Sequence, residues 1–218
     1  VSDDVPSPVV ALVNCSAATV AGSLRLAGPL KDRHVLITGT GMLGVFSCAM
    51  AAAEGAASVV VSDIEPERLR IASRFGATDE LRLMKGTEPS GVMNEFRSKG
   101  LPRFDVTLDY SGVPDTMELG LGVLSVGGTA VWVGATYPER DLRISAEKVV
   151  RHLHVIKGLH NYNSEDLARA VNFVEENHRK FPFRDLVSRT FALEEVNEAF
   201  DHALSSKAFR IGVQSGRS

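Results

Sequence analysis

Cysteine, net charge and long apolar runs are all scarce in this chain of 218 residues. Two cysteines, Cys15 and Cys48, cannot make a disulfide framework, so a reducing cytoplasm is the expected compartment. A formal net charge of -3 removes any electrostatic case for nucleic acid or an anionic membrane as partner. No apolar run is expected to approach the roughly 20 residues of a membrane span, and no signal peptide is visible. Internal repeats and low-complexity segments are absent as well. What remains is ordinary globular material, 44% hydrophobic and 23% charged, long enough for one large domain or one domain plus part of another. The first residue is Val1 rather than Met, and the chain is expected to be a piece of something longer.

The most informative stretch is His34-Val-Leu-Ile-Thr-Gly39-Thr-Gly41-Met-Leu-Gly44. An apolar, β-branched run ends in three glycines, and an alanine-rich helix follows. This order predicts a parallel strand, a tight turn and a helix N-terminus. Gly39 can take backbone angles closed to other residues. Gly41 lets a pyrophosphate approach the main chain, and Gly44 lets the helix pack closely on the strand. Free N–H groups and the helix dipole then favour an anion at that end. A second apolar run, Ser58-Val-Val-Val-Ser-Asp63, ends in an acid nineteen residues past Gly44, where a ribose-binding carboxylate belongs. The alternative is a glycine-rich turn in some other α/β protein. The whole strand–helix–strand context favours the dinucleotide.

Taken in order, Val1 to Pro8 reads as a connecting segment and Val9 to Leu26 as a helix broken by Gly28-Pro29. Cys15 and Thr19 lie four apart and are expected on one helix face, with burial as the usual fate of such a cysteine. Helices are expected over Met42 to Gly55, from Pro66 to about Phe75, Val92 to Ser98, Asp115 to Leu124, Ser145 to His152, Ser164 to Asn177 and Leu193 to Leu204. Further strands are expected at Glu80 to Met84, Phe104 to Tyr110, Thr129 to Val133, Leu153 to Leu159, Leu186 to Phe191 and Arg210 to Val213. Gly86 to Gly91 reads as a loop and Gly127-Gly128 as a turn. The alternation predicts an α/β, doubly wound parallel sheet. Ligands in such sheets sit beyond the strands' carboxyl ends, here Gly39, Asp63, Tyr110-Ser111, Gly134 and Leu159.

With these residues assembled, the chain resembles the medium-chain zinc-type alcohol dehydrogenases. The resemblance is carried by Cys15-x3-Thr19, Gly39-x-Gly41-x2-Gly44, Asp63, Phe104-Asp-Val-Thr-Leu-Asp-Tyr-Ser-Gly112, Val131-Trp-Val133-Gly134, Lys157-Gly158, Phe191 to Phe200, and Arg210. Gly41-Met42-Leu43-Gly44 and Asp3-Asp4-Val5-Pro6 are also similar to the branch that accompanies phosphonate breakdown. The resemblance implies a Rossmann fold over 29–160, a helix at 1–28 that continues a GroES-like catalytic domain absent from the chain, and a segment at 161–218 that returns toward it. It implies NAD as cofactor, zinc in the full-length enzyme, an alcohol or aldehyde substrate, and a homodimer or tetramer. Asp63 would bind the adenosine ribose with Arg68 beside it. Leu43 and Thr19 would meet the nicotinamide, and Ser111 and Val113 would line the ribose and adenine approach. Val133, Leu159 and Asn161 would offer main-chain groups to the carboxamide, Arg210 would reach the pyrophosphate, and Cys15 would be one zinc ligand.

A catalytic zinc takes about three protein ligands and an open position, and the sequence offers no companions for Cys15. His152, His154 and His160 would alternate faces on a strand, and His34, His178 and His202 suggest no grouping. The leading reading is therefore the NAD-binding portion of a zinc-dependent alcohol dehydrogenase, incomplete for catalysis by itself. Two rivals are a zinc-independent quinone or enoyl reductase of the same superfamily, against which Asp63 and Cys15 argue, and an NAD-binding module without turnover.

Overall fold

The computed structural model describes residues 1–84, 92, 94, 96 and 98–216. Strand β1 (His34–Thr38) lies at the centre of a sheet, and Val35, Leu36 and Ile37 are all fully buried. Apolar side chains on both faces are what a covered parallel strand requires. Around it stand β2 (Ser58–Asp63), β3 (Asp79–Arg82), β4 (Phe104–Asp109), β5 (Leu124–Trp132) and β6 (Val155–Gly158). All pairings are parallel, in the order β3-β2-β1-β4-β5-β6. The chain winds outward from β1 to β3, then restarts at β4 on the other side of β1. The crevice between the ends of β1 and β4 is thus the topological switch point, where doubly wound sheets bind ligands.

Helices α1 (Ser7–Val10), α2 (Ala18–Ala27), α3 (Met42–Ala53), α4 (Pro66–Ser73), α5 (Pro114–Val123), α6 (Ala146–Arg151), α7 (Ser164–Asn177) and α8 (Val196–Ser205) complete the main elements. Alternation along the strands divides the core between two faces. Val35, Ile37, Val59 and Val61 pack with α2, α3, α4 and α7 side chains such as Leu24, Phe46, Leu69 and Val174. Leu36 and Val60 pack on the opposite face with Leu119 and Val123 of α5. Helix α3 is made almost wholly of small and apolar residues because it is buried nearly all round, Cys48 included. Phe183 stacks on Phe46 with ring centroids 4.8 Å apart, so the Phe181-Pro-Phe183 link anchors the tail to the core. Strands β7 (Val187–Ala192) and β8 (Arg210–Gln214) form a separate parallel pair.

Most expected elements appear within a few residues of their predicted bounds, and α7 matches over its whole length. Four expectations change. First, the helix expected over Val9 to Leu26 is interrupted by a π-helical turn at Val13–Ala17 before α2. Second, Ser7–Ala27 as a whole is a helical run long and apolar enough to cross a membrane by length and composition, contrary to the expectation of none. Most of it is packed inside the fold. Third, Gly127-Gly128 falls inside β5 rather than before it. Leu124 pairs with Phe104 and Thr129 with Val106, so the glycines carry an irregularity in the ladder, with Gly127 at φ +76°. Fourth, His152, Leu153 and His154 precede β6 instead of alternating along it. Leu153 has φ +55°, and the two imidazoles come to face each other at 5.3 Å. The expected loop at 86–91 lies outside the described residues; of the helix expected at Val92 to Ser98, the described Val92, Asn94, Phe96 and Ser98 are helical.

Candidate functional site

The three glycines after β1 differ in what surrounds them. Gly39 has φ +86°, and a Cβ there would lie 2.8 Å from the Ser111 nitrogen. A Cβ on Gly44 would overlap the Gly39 carbonyl oxygen and sit 3.0 Å from its carbon. These two glycines are therefore demanded by the protein's own packing. Gly41 is different. A Cβ there would meet only the Arg68 guanidinium, at 4.0 Å, and Gly41 is the N-cap of α3 with an extended conformation open to any residue. It fronts open space at a helix N-terminus, which is the geometry a phosphate requires.

Asp63, 8% exposed, ends β2 beside this turn. Its Oδ2 accepts from the Thr40 main-chain N–H (2.7 Å) and hydroxyl (2.8 Å), and its Oδ1 accepts from the Glu65 N–H (2.9 Å). A carboxylate has about four acceptor positions, so Oδ1 keeps room for a ribose hydroxyl. Thr40 was no sequence candidate, yet it lets Asp63 brace the glycine turn as well as face the crevice.

A second cluster at the switch point escaped the sequence reading. Asp109, buried at the end of β4, accepts at Oδ2 from Thr38 Oγ1 (2.5 Å), Ser111 Oγ (2.9 Å) and Thr116 Oγ1 (2.9 Å), and at Oδ1 from the Gly112 N–H (2.8 Å). Burial raises its carboxyl above the ordinary aspartate value, and the four donors oppose that rise. The cluster ties the turn after β1 to the turn after β4. Gly112 in turn packs so closely on Gly134 that neither tolerates a Cβ. An acid ending an otherwise apolar strand, just before Ser-Gly, was the available signal. The neighbouring Tyr110 bonds to Ser23 Oγ at 2.6 Å, which docks α2 on β4, and burial pushes its phenol up to about 12.

Leu43, Ser111, Val113, Val133, Leu159 and Asn161 follow the carboxyl ends of β1, β4, β5 and β6. Leu43 is half-buried in the first turn of α3. The Ser111 hydroxyl is committed to Asp109, while Val113 stands exposed beyond it. The N–H groups of Val133 and Leu159 already donate to Asp109 O (2.9 Å) and Trp132 O (3.0 Å), so what each can offer a carboxamide is its carbonyl. Asn161 is exposed at φ +60°. Arg68 lies 5.9 Å from the centre of the Phe209 ring, and the next residue, Arg210, donates to Ser16 Oγ at 3.1 Å. That contact brings the tail against the π-helical turn carrying Cys15. Cys15 and Thr19 do not share an environment as expected: the wider turn leaves Cys15 exposed while Thr19 is buried. The buried-packing alternative thus fails for Cys15 and holds for Cys48, whose thiol is raised far above its ordinary value by burial.

The residues present fit a dinucleotide through the open cradle at Gly41 and the acceptor at Asp63. They do not fit a zinc ion. Among the described residues no group of three or more histidine, cysteine, aspartate or glutamate side chains converges, so Cys15 has no companion donors. A cavity of 780 Å³ lined in part by Glu54, Arg169, Phe173 and Lys180 lies at the far end of α3, away from the strands' carboxyl ends.

The family described as zinc-binding dehydrogenase matches residues 43–176. An L-threonine 3-dehydrogenase of Alteromonas mediterranea is 32% identical over 177 residues, which cover 81% of this chain and 50% of that protein. The chain thus spans about half the length of the curated relatives it matches. Among solved structures, an alcohol dehydrogenase from Thermotoga maritima superposes with a TM-score of 0.88 at 22% identity, covering 99% of this chain and 59% of the other. A putative zinc-binding dehydrogenase from Sinorhizobium meliloti, solved with NADP bound, gives a TM-score of 0.77 at 20% identity, covering 94% and 58%. At these identities the two structures establish the fold.

Proposed function

The chain belongs to the zinc-binding dehydrogenases of the medium-chain alcohol dehydrogenase family, and from that premise we propose that it is the NAD-binding portion of a longer oxidoreductase. The reaction is hydride transfer between a small alcohol or aldehyde and the nicotinamide, which supplies the hydride-accepting carbon when bound. The observation that carries this reading is the contrast within the glycine turn. Gly39 and Gly44 are closed off by protein, whereas Gly41 faces open space beside Asp63 and Arg68. In this reading the pyrophosphate lies over Gly41, with Arg68 and Arg210 as its cations. The adenosine ribose takes Asp63 Oδ1. Leu43 and Thr19 flank the nicotinamide, the Val133 and Leu159 carbonyls with Asn161 hold its carboxamide, and Ser111 and Val113 shape the approach.

Asp63 selects NAD(H) over NADP(H), although one solved neighbour carries NADP. A 2′-phosphate would place like charge against the carboxylate and forfeit the ribose hydrogen bonds, a difference of about 2–3 kcal/mol. Calorimetric titration with both cofactors tests it. NADH should bind tens to hundreds of times more tightly, Asp63→Ala should narrow the gap, and equal wild-type affinities would refute the assignment.

Zinc belongs to the longer protein in this proposal, with Cys15 as one of its ligands. For the chain taken alone, the lack of converging donors among the described residues favours NAD binding without turnover. The substrate stays at the level of a small alcohol, since the phosphonate-associated branch has only two short motifs behind it. Strand β6 is the last in the sheet, with Val155 41% exposed. A bare edge of this kind pairs readily, and we assign it to a symmetric homodimer or a tetramer built on it. Two free thiols suit a reducing cytoplasm.

A further inference from the structure

We infer that the Glu65–Lys207 ion pair is a second determinant of cofactor choice, acting beside Asp63; the inference rests on the NAD site proposed above. Glu65 is the N-cap of α4, and its main-chain N–H is held by Asp63 Oδ1 at 2.9 Å. It is therefore fixed directly beside the ribose-binding carboxylate. Its own carboxylate receives Lys207 Nζ at 2.9 Å, from a residue 142 positions later in the chain. Lys207 lies just before β8 in a short strap held at three points. Lys207 itself reaches Glu65, Phe209 lies against the Arg68 guanidinium, and Arg210 holds Ser16. The strap thus crosses from the adenosine end of the crevice to the turn that carries Cys15.

The charges at this rim point in one direction. A 2′-phosphate brings about two negative charges and needs a cation where it lands. Among the described residues, Arg82 stands opposite Asp63 in the β2–β3 ladder, while Arg68 lies in α4 and Lys207 on the strap that reaches Glu65. Arg68 is directed at Gly41 and Phe209, on the pyrophosphate side. Lys207 is closer in topology to the ribose end, but Glu65 engages its ammonium. Glu65 therefore does two things at once: it adds a negative charge beside Asp63, and it keeps Lys207 from serving as a phosphate ligand. The pair is largely exposed, with side-chain exposures of 79% for Lys207 and 36% for Glu65. Exposed pairs contribute little to folding, so the consequence appears in ligand discrimination.

The test is the ratio of NADPH to NADH dissociation constants for the 218-residue chain and three variants, each checked by thermal melting. Glu65→Gln should bind NADPH about fivefold more tightly, the upper range for one exposed charge contact, with NADH within about twofold of wild type. Lys207→Gln should leave the ratio as it is or widen it. The double variant should keep only part of the gain of Glu65→Gln, because the carboxylate is removed but the released cation is gone, and the gain itself should shrink as salt rises. An unchanged ratio in Glu65→Gln overturns the inference. So does a double variant that keeps the whole gain, since Lys207 would then contribute nothing and the ion pair would not be the determinant. Either result with NADH still saturating leaves the NAD site standing, whereas wild-type chain that fails to bind NADH overturns both.

Discussion

Two glycine-to-alanine changes three residues apart should have opposite consequences. At Gly44, helix propensity alone favours alanine by about 1 kcal/mol. Packing opposes it. The new methyl would overlap the Gly39 carbonyl oxygen and lie 3.0 Å from its carbon, and both are backbone atoms that no rotamer can move. Helix α3 would have to retreat by on the order of 1 Å from the turn, and overpacking of this kind costs about 1–3 kcal/mol or more. A rigid backbone clash belongs at the upper end, so the net is a loss of about 2 kcal/mol, or roughly 4–8 °C for a chain of this size. At Gly41 the conformation is open to alanine and the nearest atom is 4.0 Å away. The cost is at most that of a poorer N-cap, about 1 kcal/mol. The methyl would instead occupy the space assigned to the pyrophosphate, and NADH affinity should fall at least about tenfold, a steric loss of about 1.4 kcal/mol or more. Thermal melts and NADH fluorescence titrations of both variants read the two effects separately. A Gly44→Ala chain as stable as wild type refutes the packing argument. A Gly41→Ala chain that binds NADH normally refutes the open cradle.

Three further outcomes are expected. Arg25 holds the buried Asp166 carboxyl below its ordinary value through hydrogen bonds of 2.7 and 2.9 Å, which outweigh burial. That stability is present above the unfolded aspartate pKa of about 3.9 and is lost as pH falls through the lower folded value. Asp166→Asn should cost about 1–2 kcal/mol at neutral pH and flatten the acid limb of a pH–melting curve; an unaltered acid limb would contradict this. Ile156→Pro should reduce the dimer fraction in light scattering by removing an outward ladder donor at the β6 edge, since the Leu159 N–H turns inward to Trp132 O and Val155 and Lys157 share its direction; a wild-type monomer at high micromolar concentration would count against the dimer. The isolated chain should hold no stoichiometric zinc by elemental analysis and oxidise no simple alcohol, while Cys15→Ala in the longer protein should lose both metal and activity. One zinc per chain with alcohol oxidation by the 218 residues would show that the reading of Cys15 is wrong.

What the sequence revealed and what it concealed divide along chain distance. The glycine turn and Asp63 were legible because strand, turn, helix and acid follow one another within thirty residues and each has a local physical reason. The doubly wound parallel sheet followed from the alternation of elements. Asp109 was hidden because its partners come from β1, the turn after β4 and α5, which the sequence does not place together. Lys207 was hidden for the same reason, so Asp63 seemed to have no nearby cation beyond Arg68. The π-helical turn at Val13–Ala17 changes where Cys15 points without altering any apolar spacing that a periodicity argument reads. Gly127-Gly128 looked like a turn because glycine pairs usually are, and here the bend is absorbed within β5.

The central claim is that NAD lies over Gly41 with its adenosine ribose on Asp63, and a crystal structure of the chain soaked with NADH tests it most directly. The account predicts one dinucleotide per chain at the β1–β4 crevice. The pyrophosphate should sit over the first turn of α3, and a ribose hydroxyl should lie at about 2.6–2.9 Å from Asp63 Oδ1. NADH bound away from the glycine turn, or a ribose turned away from Asp63, would contradict it.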